Sequence, residues 1–215
     1  MAELDAGFVL PELSLEAFTR GVAARTPTPG GGGASALVGA LAASLAMMCG
    51  GFTRGKSDDA ELEADIERMI AEGERLRGAL LALIDADAAA FEPVAAAYEI
   101  PRADPTRRAR IDTATAGAAE APLEMIRNLA HTVILLEEMG KKGSRLLIAD
   151  VACGAVLAAA ALKSASVNVF VNTAALADRA FASALEAEAD DYLAEYVPRA
   201  ERLAAAITDT IRGRE

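Results

Sequence analysis

The sequence has no tryptophan, one histidine and two cysteines among its 215 residues. Aromatic residues make up only 4% of the chain, whereas hydrophobic residues make up 53%. The apolar side chains are therefore mostly those of Ala, Leu, Val and Ile, which is typical of helices that pack closely together. With so few aromatic rings, the chain offers no platform on which nucleic-acid bases could stack.

Positive charge is also scarce. The 21 Lys and Arg residues stand against 32 Asp and Glu residues, which gives a formal charge of -11. This balance opposes binding to nucleic acid or to an anionic membrane and favours a small or cationic partner. The N-terminal residues MAELDAGFVLPEL lack a basic segment followed by an apolar run, so they do not predict a signal peptide, and a cytoplasmic protein is expected.

The segment 34–53 carries no charged residue and is long enough to cross a bilayer. It is rich in Ala, Gly and Ser and has few large side chains, which favours a core helix in close contact with its neighbours. The sequence therefore predicts no membrane span.

The few residues that could act as soft metal ligands are isolated from one another. Cys49 and Cys153 lie in apolar runs without a C-x-x-C pattern, so both are expected to be reduced and buried. His131 lies on a predicted helix with no nucleophile motif nearby, and we interpret it as a structural or surface residue. No metal and no redox cofactor are expected.

The hydrophobic periodicity is helical almost throughout, and no stretch alternates for long enough to predict a strand. The sequence predicts an all-α, up-and-down bundle of about six long helices in a single domain that spans residues 1–215. A bend is expected near Pro122. The predicted helices span residues 12–24, 34–52, 58–98, 105–139, 145–175 and 178–212.

Residues 50–57 read GGFTRGKS and match the phosphate-binding pattern G-x-x-x-x-G-K-[ST]. A P-loop must connect a buried parallel strand to a helix, whereas this segment follows an alanine-rich helix. The segment LLIAD at 146–150, which could imitate a magnesium-holding strand, lies within a helical run. We therefore interpret GGFTRGKS as a helix terminus and a turn.

Four glycines, Gly30, Gly31, Gly32 and Gly33, follow two prolines and precede Ser35, a capping-type residue. Glycine lets a ligand approach the main chain, and the first turn of a helix has unpaired N–H groups and partial positive charge. The stretch could stabilise an anion or a developing oxyanion. The alternative is a flexible linker between two helices.

Asp87 lies in LLALIDADAAAF and falls on the same helical stripe as Leu80, Ile84, Phe91 and Tyr98. Five further apolar residues share that stripe, namely Leu62, Ile66, Met69, Leu76 and Leu83. Asp85 points to nearly the opposite side. A carboxylate on an apolar face must be paired, hydrogen-bonded or protonated, and desolvation raises its pKa. Asp87 is therefore either a functional residue or a structural hydrogen-bonding group.

Asp150, Ser164, Asn168 and Asn172 share a broad face of the predicted helix 145–175, which is otherwise apolar. Asp150 and Asn168 are about 27 Å apart along a straight helix, so they cannot line one compact pocket in a monomer. Either they serve different places, or a symmetric partner brings them together.

Three segments together resemble the formiminotransferase-cyclodeaminase C-terminal family, which includes free-standing methenyltetrahydrofolate cyclohydrolases. They read TPTPGGGGASALVGALAASLAMMCGGFTRGK, IDADAAAFEPVAAAY and ALKSASVNVFVNTAALADRAF, and the likeness covers nearly the whole chain. The resemblance implies an all-helical homodimer that acts on C1-substituted tetrahydrofolate. The family's catalytic aspartate lies in the segment matched by DAAAF, which implies that Asp87 is the catalytic residue.

The implied reaction is hydrolysis of 5,10-methenyltetrahydrofolate to 10-formyltetrahydrofolate. The alternatives are ammonia release from formimino-tetrahydrofolate by a cyclodeaminase and a non-catalytic helical binding or assembly module. A folate substrate would be the only small molecule required, with no separate cofactor. The expected substrate-binding residues are Gly30, Gly31, Gly32, Gly33, Arg54, Lys56, Asp150, Asn168 and Asn172.

Two positions depart from the family pattern. Ser57, Asp58 and Asp59 follow Lys56, where family members usually have several lysines and a tyrosine. The usual Gly-Asn turn before the aspartate matched by Asp150 reads GSRLLIAD. The site expected to bind the folate glutamate tail therefore has fewer basic side chains.

Overall fold

The computed structural model describes residues 9–214, and within this range it contains seven α-helices and no β-strand. The predicted all-α fold is confirmed. Two short 3-10 helices, Leu10–Glu12 and Arg145–Leu147, precede α1 and α6. The α-helices are α1 (Leu15–Val22), α2 (Gly31–Thr53), α3 (Ala60–Glu99), α4 (Arg107–Ala118), α5 (Glu120–Lys142), α6 (Ile148–Ala174) and α7 (Arg179–Ile211).

Several helices begin at capping side chains. The Asp59 carboxylate accepts hydrogen bonds from the N–H groups of Glu61 and Leu62 at the start of α3. The Asp178 carboxylate accepts one from Phe181 N–H at the start of α7. These bonds satisfy amides that have no partner inside the helix, which fixes where each helix starts.

The predicted helix over 105–139 is two helices, α4 and α5, which meet at Ala119. The interruption at Ala119 confirms the break expected near Pro122, and Pro122 itself lies in the first turn of α5. A proline is tolerated there because the first-turn N–H groups have no intrahelical acceptor. The break therefore precedes the proline instead of occurring at it.

The order of contacts places α3, α2, α6 and α7 side by side, with α5 packed behind all four. α5 is the central helix of the bundle, and six of its large apolar side chains are fully buried. They are Leu123, Met125, Ile126, Leu129, Leu136 and Met139. α4 packs against the C-terminal part of α3 and also contacts α5 and α6.

α2 and α3 run antiparallel and approach closely because glycines face large side chains. A Cβ atom at Gly73 of α3 would lie 2.4 Å from Cγ of Met47 on α2. One at Gly39 of α2 would lie 3.3 Å from Cδ1 of Leu80 on α3 and 2.6 Å from Cδ2 of Leu129 on α5. Neither position has room for a side chain without displacing its neighbour. The alanine-rich and glycine-rich composition of α2 thus serves close helix packing.

The predicted apolar stripe of α3 is confirmed over its first two thirds, where Ile66, Leu80 and Ile84 are buried. The stripe prediction is wrong at its end, where Phe91 is 37% exposed and Tyr98 is 53% exposed. α3 has 40 residues and extends beyond the start of the 23-residue α2. Its last turns pack against α4 instead, and this changes which side of the helix is buried.

The GGFTRGKS segment is the end of α2 followed by a turn, as predicted. Gly55 adopts a φ of 71°, a left-handed conformation that glycine accepts without strain. The N–H groups of Gly55, Lys56 and Ser57 donate to the Glu63 carboxylate over 2.8, 3.1 and 3.0 Å. The amides that would hold a phosphate in a P-loop therefore bind a carboxylate of the protein itself.

Two helical segments, Gly31–Thr53 and Arg145–Ala174, are long and apolar enough to span a membrane by length and composition. Helices at the core of a soluble bundle meet the same criterion, and both segments have one side buried against neighbouring helices. Cys49 is buried as expected, but Cys153 is exposed on α6. α6 is apolar on nearly every side, so its sequence did not reveal which side faces outward.

Candidate active site

At the start of α2, Gly31 is exposed at the surface of the bundle, whereas Gly32 and Gly33 are buried. Gly30 is the N-cap residue, no side chain caps the helix, and the next three glycines form its first turn. Ser35 is not the cap that the sequence suggested. Its hydroxyl donates to the carbonyl of Gly31 over 2.7 Å and shares a 2.7 Å hydrogen bond with the hydroxyl of Ser164. This bond joins α2 to α6 beside the glycines.

Asp87 lies directly against these glycines. A Cβ atom at Gly32 would lie 2.4 Å from each carboxylate oxygen of Asp87, so the carboxylate occupies the space that a side chain would need. Asp87 is half-buried and accepts a hydrogen bond from Gly33 N–H. Burial raises the pKa of Asp87 above its ordinary value, and the hydrogen bond from Gly33 offsets part of this rise.

Asn168 of α6 forms the third side of the site. A Cβ atom at Gly31 would lie 3.4 Å from its side-chain oxygen, so the amide lies beside the first turn of α2. The side-chain nitrogen of Asn168 donates to the carbonyl of Ser164 over 3.0 Å. The structure thus brings together the glycines, Asp87 and Asn168, which come from three helices.

Other expected site residues lie at the opposite end of α2, which is about 33 Å long. Arg54 is the C-cap residue of α2, and its guanidinium forms an exposed ion pair with Glu67 over 3.4 Å. Lys56 is exposed, with its ammonium 5.9 Å from the centre of the Phe52 ring. Neither residue can reach Asp87 within one protomer.

Asp150 also lies apart from Asp87, whereas Asn172 lies one helical turn beyond Asn168 on α6. Asp150 is in the first turn of α6, where its charge adds to the effect of burial in raising the pKa of Cys49, a residue near the end of α2. Asn172 donates a 2.9 Å hydrogen bond to the carbonyl of Ala118 and so ties α6 to the end of α4. Their predicted roles in substrate binding stay predictions.

Asp85 has a structural role that the sequence pattern did not reveal. Its carboxylate accepts a 2.9 Å hydrogen bond from Leu10 N–H, which attaches the N-terminal 3-10 helix to α3. Its half-buried position differs from the solvent-facing side expected for it. The partner is 75 residues away in sequence, so no local signal could have indicated this contact.

The arrangement suits proton transfer at a cationic centre. A half-buried carboxylate with a raised pKa can accept a proton from water, and its charge attracts a positively charged reactant. Within residues 9–214, no group of three or more His, Cys, Asp or Glu side chains could hold a metal ion. The expected absence of a cofactor stays a prediction.

Comparisons with known proteins point to one family. The sequence profile of the Formiminotransferase-cyclodeaminase family matches residues 14–191. The chain is 37% identical over 194 residues to the methenyltetrahydrofolate cyclohydrolase of Methylorubrum extorquens, which covers 88% of this chain and 93% of the relative. The chain is also 31% identical to the formimidoyltransferase-cyclodeaminase of Rattus norvegicus over 176 residues. This match covers 80% of the present chain but only 32% of that longer protein.

A solved structure shows the same fold. The crystal structure of formiminotetrahydrofolate cyclodeaminase from Thermotoga maritima superimposes with a TM-score of 0.81 at 30% sequence identity, covering 92% of this chain and 98% of the other. The resemblance inferred from the three sequence segments is thereby confirmed. The chain belongs to the formiminotransferase-cyclodeaminase family.

Proposed function

We propose that this protein hydrolyses 5,10-methenyltetrahydrofolate to 10-formyltetrahydrofolate in the cytoplasm. The observation that carries the proposal is the Asp87 carboxylate, half-buried against the glycine backbone at the start of α2. The relative from Methylorubrum extorquens, which this chain matches over most of both lengths, bears the name of this activity.

The proposed reaction begins with the methenyl group, a cationic carbon between N5 and N10. Asp87 holds this cation and accepts a proton from the attacking water, so that the oxygen bonds to the methenyl carbon. The tetrahedral intermediate then breaks its carbon–N5 bond, and N5 takes up a proton as the formyl group stays on N10. One water is consumed and one proton is released overall.

Replacing Asp87 with asparagine tests this role. Asp87→Asn keeps the size and the oxygen that accepts from Gly33 but removes the base, so turnover followed by methenyl-folate absorbance should fall by at least about 100-fold. Asp85→Asn is the matched control, because it makes the same change two residues away. Turnover by Asp87→Asn close to that of the unaltered protein would rule out the proposed base.

A cyclodeaminase activity is the second candidate, and the similarity to the Thermotoga maritima cyclodeaminase favours testing it. That reaction closes formimino-tetrahydrofolate to the same methenyl product and releases ammonia. Ammonia measured from formimino-tetrahydrofolate, compared with hydrolysis of methenyltetrahydrofolate at equal enzyme concentration, distinguishes the two activities.

We also propose that the protein is a homodimer joined through α2 and α6. Leu41, Met48 and Phe52 form an exposed apolar stripe along α2, and Val156 and Val167 are exposed on α6. Such a continuous apolar face is typical of a surface that another protein covers. A second copy suits it because a two-fold axis pairs the face with itself.

A two-fold axis across the middle of α2 would also complete the site. It would bring the end of α2 in one protomer to the start of α2 in the other, about 33 Å along the helix. Arg54 and Lys56 of one copy would then lie near Asp87 of the other and could bind the carboxylates of the folate tail. Asp150 and Asn168 would be brought together in the same way.

Subunit complementation tests the shared site. Asp87→Asn and the double variant Arg54→Glu with Lys56→Glu should each be inactive alone. When they are mixed and allowed to exchange, half of the dimers are mixed and each has one intact site, so about a quarter of full activity should return. Sedimentation measures the dimer independently. A stable monomer, or no recovery in verified mixed dimers, would contradict the shared site.

A further inference from the structure

A cavity of about 440 Å³ lies between the end of α5, the start of α6 and the last turns of α7. Its volume is within the range of pockets that bind small molecules. Its floor is mostly apolar and is formed by Gly140, Ile148, Leu203, Ala206 and Ile207. Basic side chains surround this floor.

Four cations line the cavity of a protein whose overall charge is -11. Arg199 is neutralised, because it forms ion pairs with Glu137 and Glu195 over the end of the apolar floor. Lys141, Arg145 and Arg202 form no ion pair with any residue in 9–214. The pKa of Glu137, the one carboxylate in the lining, is lowered first by the hydrogen bond from Arg199 and further by the charges of Lys141 and Arg202. Four cations against one carboxylate leave the lining with an excess of three positive charges.

None of these three side chains holds two helices together through an ion pair within residues 9–214. The neighbouring Lys142 already bonds Asp65 and Glu138 at the end of α5, which satisfies the preference for a cation at a helix C-terminus. Three like charges around one cavity repel each other unless an anion lies among them. Their position over an apolar floor suits a ligand with a charged part and an apolar part.

The cavity is separate from the Asp87 site. Ile148 lines the cavity and Asn168 lines the Asp87 site, and these residues are about 30 Å apart along α6. The cavity also opens between α5 and α7, away from the exposed stripe of α2. It does not contribute to the chemistry proposed above within one protomer.

We propose that this cavity binds an organic phosphate with at least two phosphate groups. The guanidinium groups of Arg145 and Arg202 can each donate two parallel hydrogen bonds to a phosphate, and Lys141 adds a point charge. A diphosphate or triphosphate matches the excess of three positive charges. The organic part of the ligand covers Ile148 and Leu203, which are partly exposed, and removes their apolar surface from water.

Equilibrium dialysis with ATP tests the proposal. ATP should bind saturably at one site per chain, and inorganic tripolyphosphate should bind more weakly because it has no part to cover the apolar floor. Lys141→Glu with Arg202→Glu should weaken ATP binding at least about tenfold, because two favourable charge interactions become repulsive. Ala206→Asp places a carboxylate in the floor and should have a similar effect.

The matched control is Arg25→Glu with Arg102→Glu, which changes the net charge equally at exposed positions that do not line the cavity. It should bind ATP within about twofold of the unaltered protein, since distant exposed charges are screened. The proposal is overturned if ATP shows no saturable binding, or if the control loses as much affinity as the cavity variant. It is equally overturned if Ala206→Asp has no effect, or if tripolyphosphate binds as tightly as ATP.

Discussion

Gly32→Ala should remove most of the enzyme's activity while the bundle stays folded. The added Cβ would lie 2.4 Å from both carboxylate oxygens of Asp87, whereas ordinary contact begins at 3.4 Å. The carboxylate must therefore move by about 1 Å or rotate toward solvent. A displacement of about 1 Å at a reacting group can lower the rate about 100-fold, which is the loss in kcat/KM that we expect.

Gly33→Ala is the matched control for this variant. Its Cβ would lie 3.4 Å from Cγ2 of Ile84 and 3.5 Å from Cβ of Pro29, which is ordinary packing, and its N–H can still donate to Asp87. We expect kcat/KM within about threefold of the unaltered protein, in the methenyl-folate absorbance assay. Equal activity of the Gly32→Ala and Gly33→Ala variants would refute the contact between Gly32 and Asp87 as the cause.

Urea unfolding distinguishes a displaced Asp87 carboxylate from a general loss of folding stability. Alanine is a better helix former than glycine, so in an Asp87→Ala background Gly32→Ala should raise the free energy of unfolding by up to about 1 kcal/mol. With Asp87 present the gain should be smaller, because the new methyl group and the carboxylate compete for one space. Equal gains in urea unfolding of both backgrounds would show that the two positions do not interact.

Three further predictions concern stability. Because burial raises the pKa of Asp87, the protonated carboxyl is more compatible with the folded state than the charged carboxylate is. This contribution to stability is lost as the pH rises through the raised pKa. Asp87→Asn should therefore raise Tm near pH 7 but not near pH 4. The hydrogen bond from Gly55 N–H, together with those from Ser57 and Lys56, lowers the pKa of Glu63. Glu63→Gln should therefore lower Tm at neutral pH. This difference in Tm should vanish as the pH falls through the lowered pKa. Ser164→Ala removes the bond to Ser35 and should lower the free energy of unfolding by about 0.5 to 1.5 kcal/mol in urea titrations, whereas a change within error would contradict a structural role for that bond.

Much of the helical architecture could be predicted from local sequence. Asp59 and Asp178 cap α3 and α7 close to the predicted starts, because a cap acts within the first turn of its own helix. The burial of Ile66 and Ile84 follows from the helical period. The same period indicated Asp87, which does lie half-buried beside the core.

Local patterns failed where the identity of the neighbouring helix decided the outcome. Phe91 and Tyr98 continue the apolar stripe of α3 but are exposed, because α3 extends past α2 and packs against α4 there. Cys153 is exposed because nearly every side of α6 is apolar, so only packing selects the buried side. Asp85 bonds a residue 75 positions away, which no periodicity could indicate.

The sequence by itself determined the helical class, the position of most helices and the choice of Asp87, since capping, periodicity and family motifs are properties of the local chain. Only the tertiary structure decided that Gly32 is the residue in contact with Asp87, that Asn168 joins them, and that Arg54, Lys56 and Asp150 lie at the other end of the bundle. The reason is that these relationships depend on how antiparallel helices align lengthwise, and that alignment is set by side chains far apart in sequence that pack against one another.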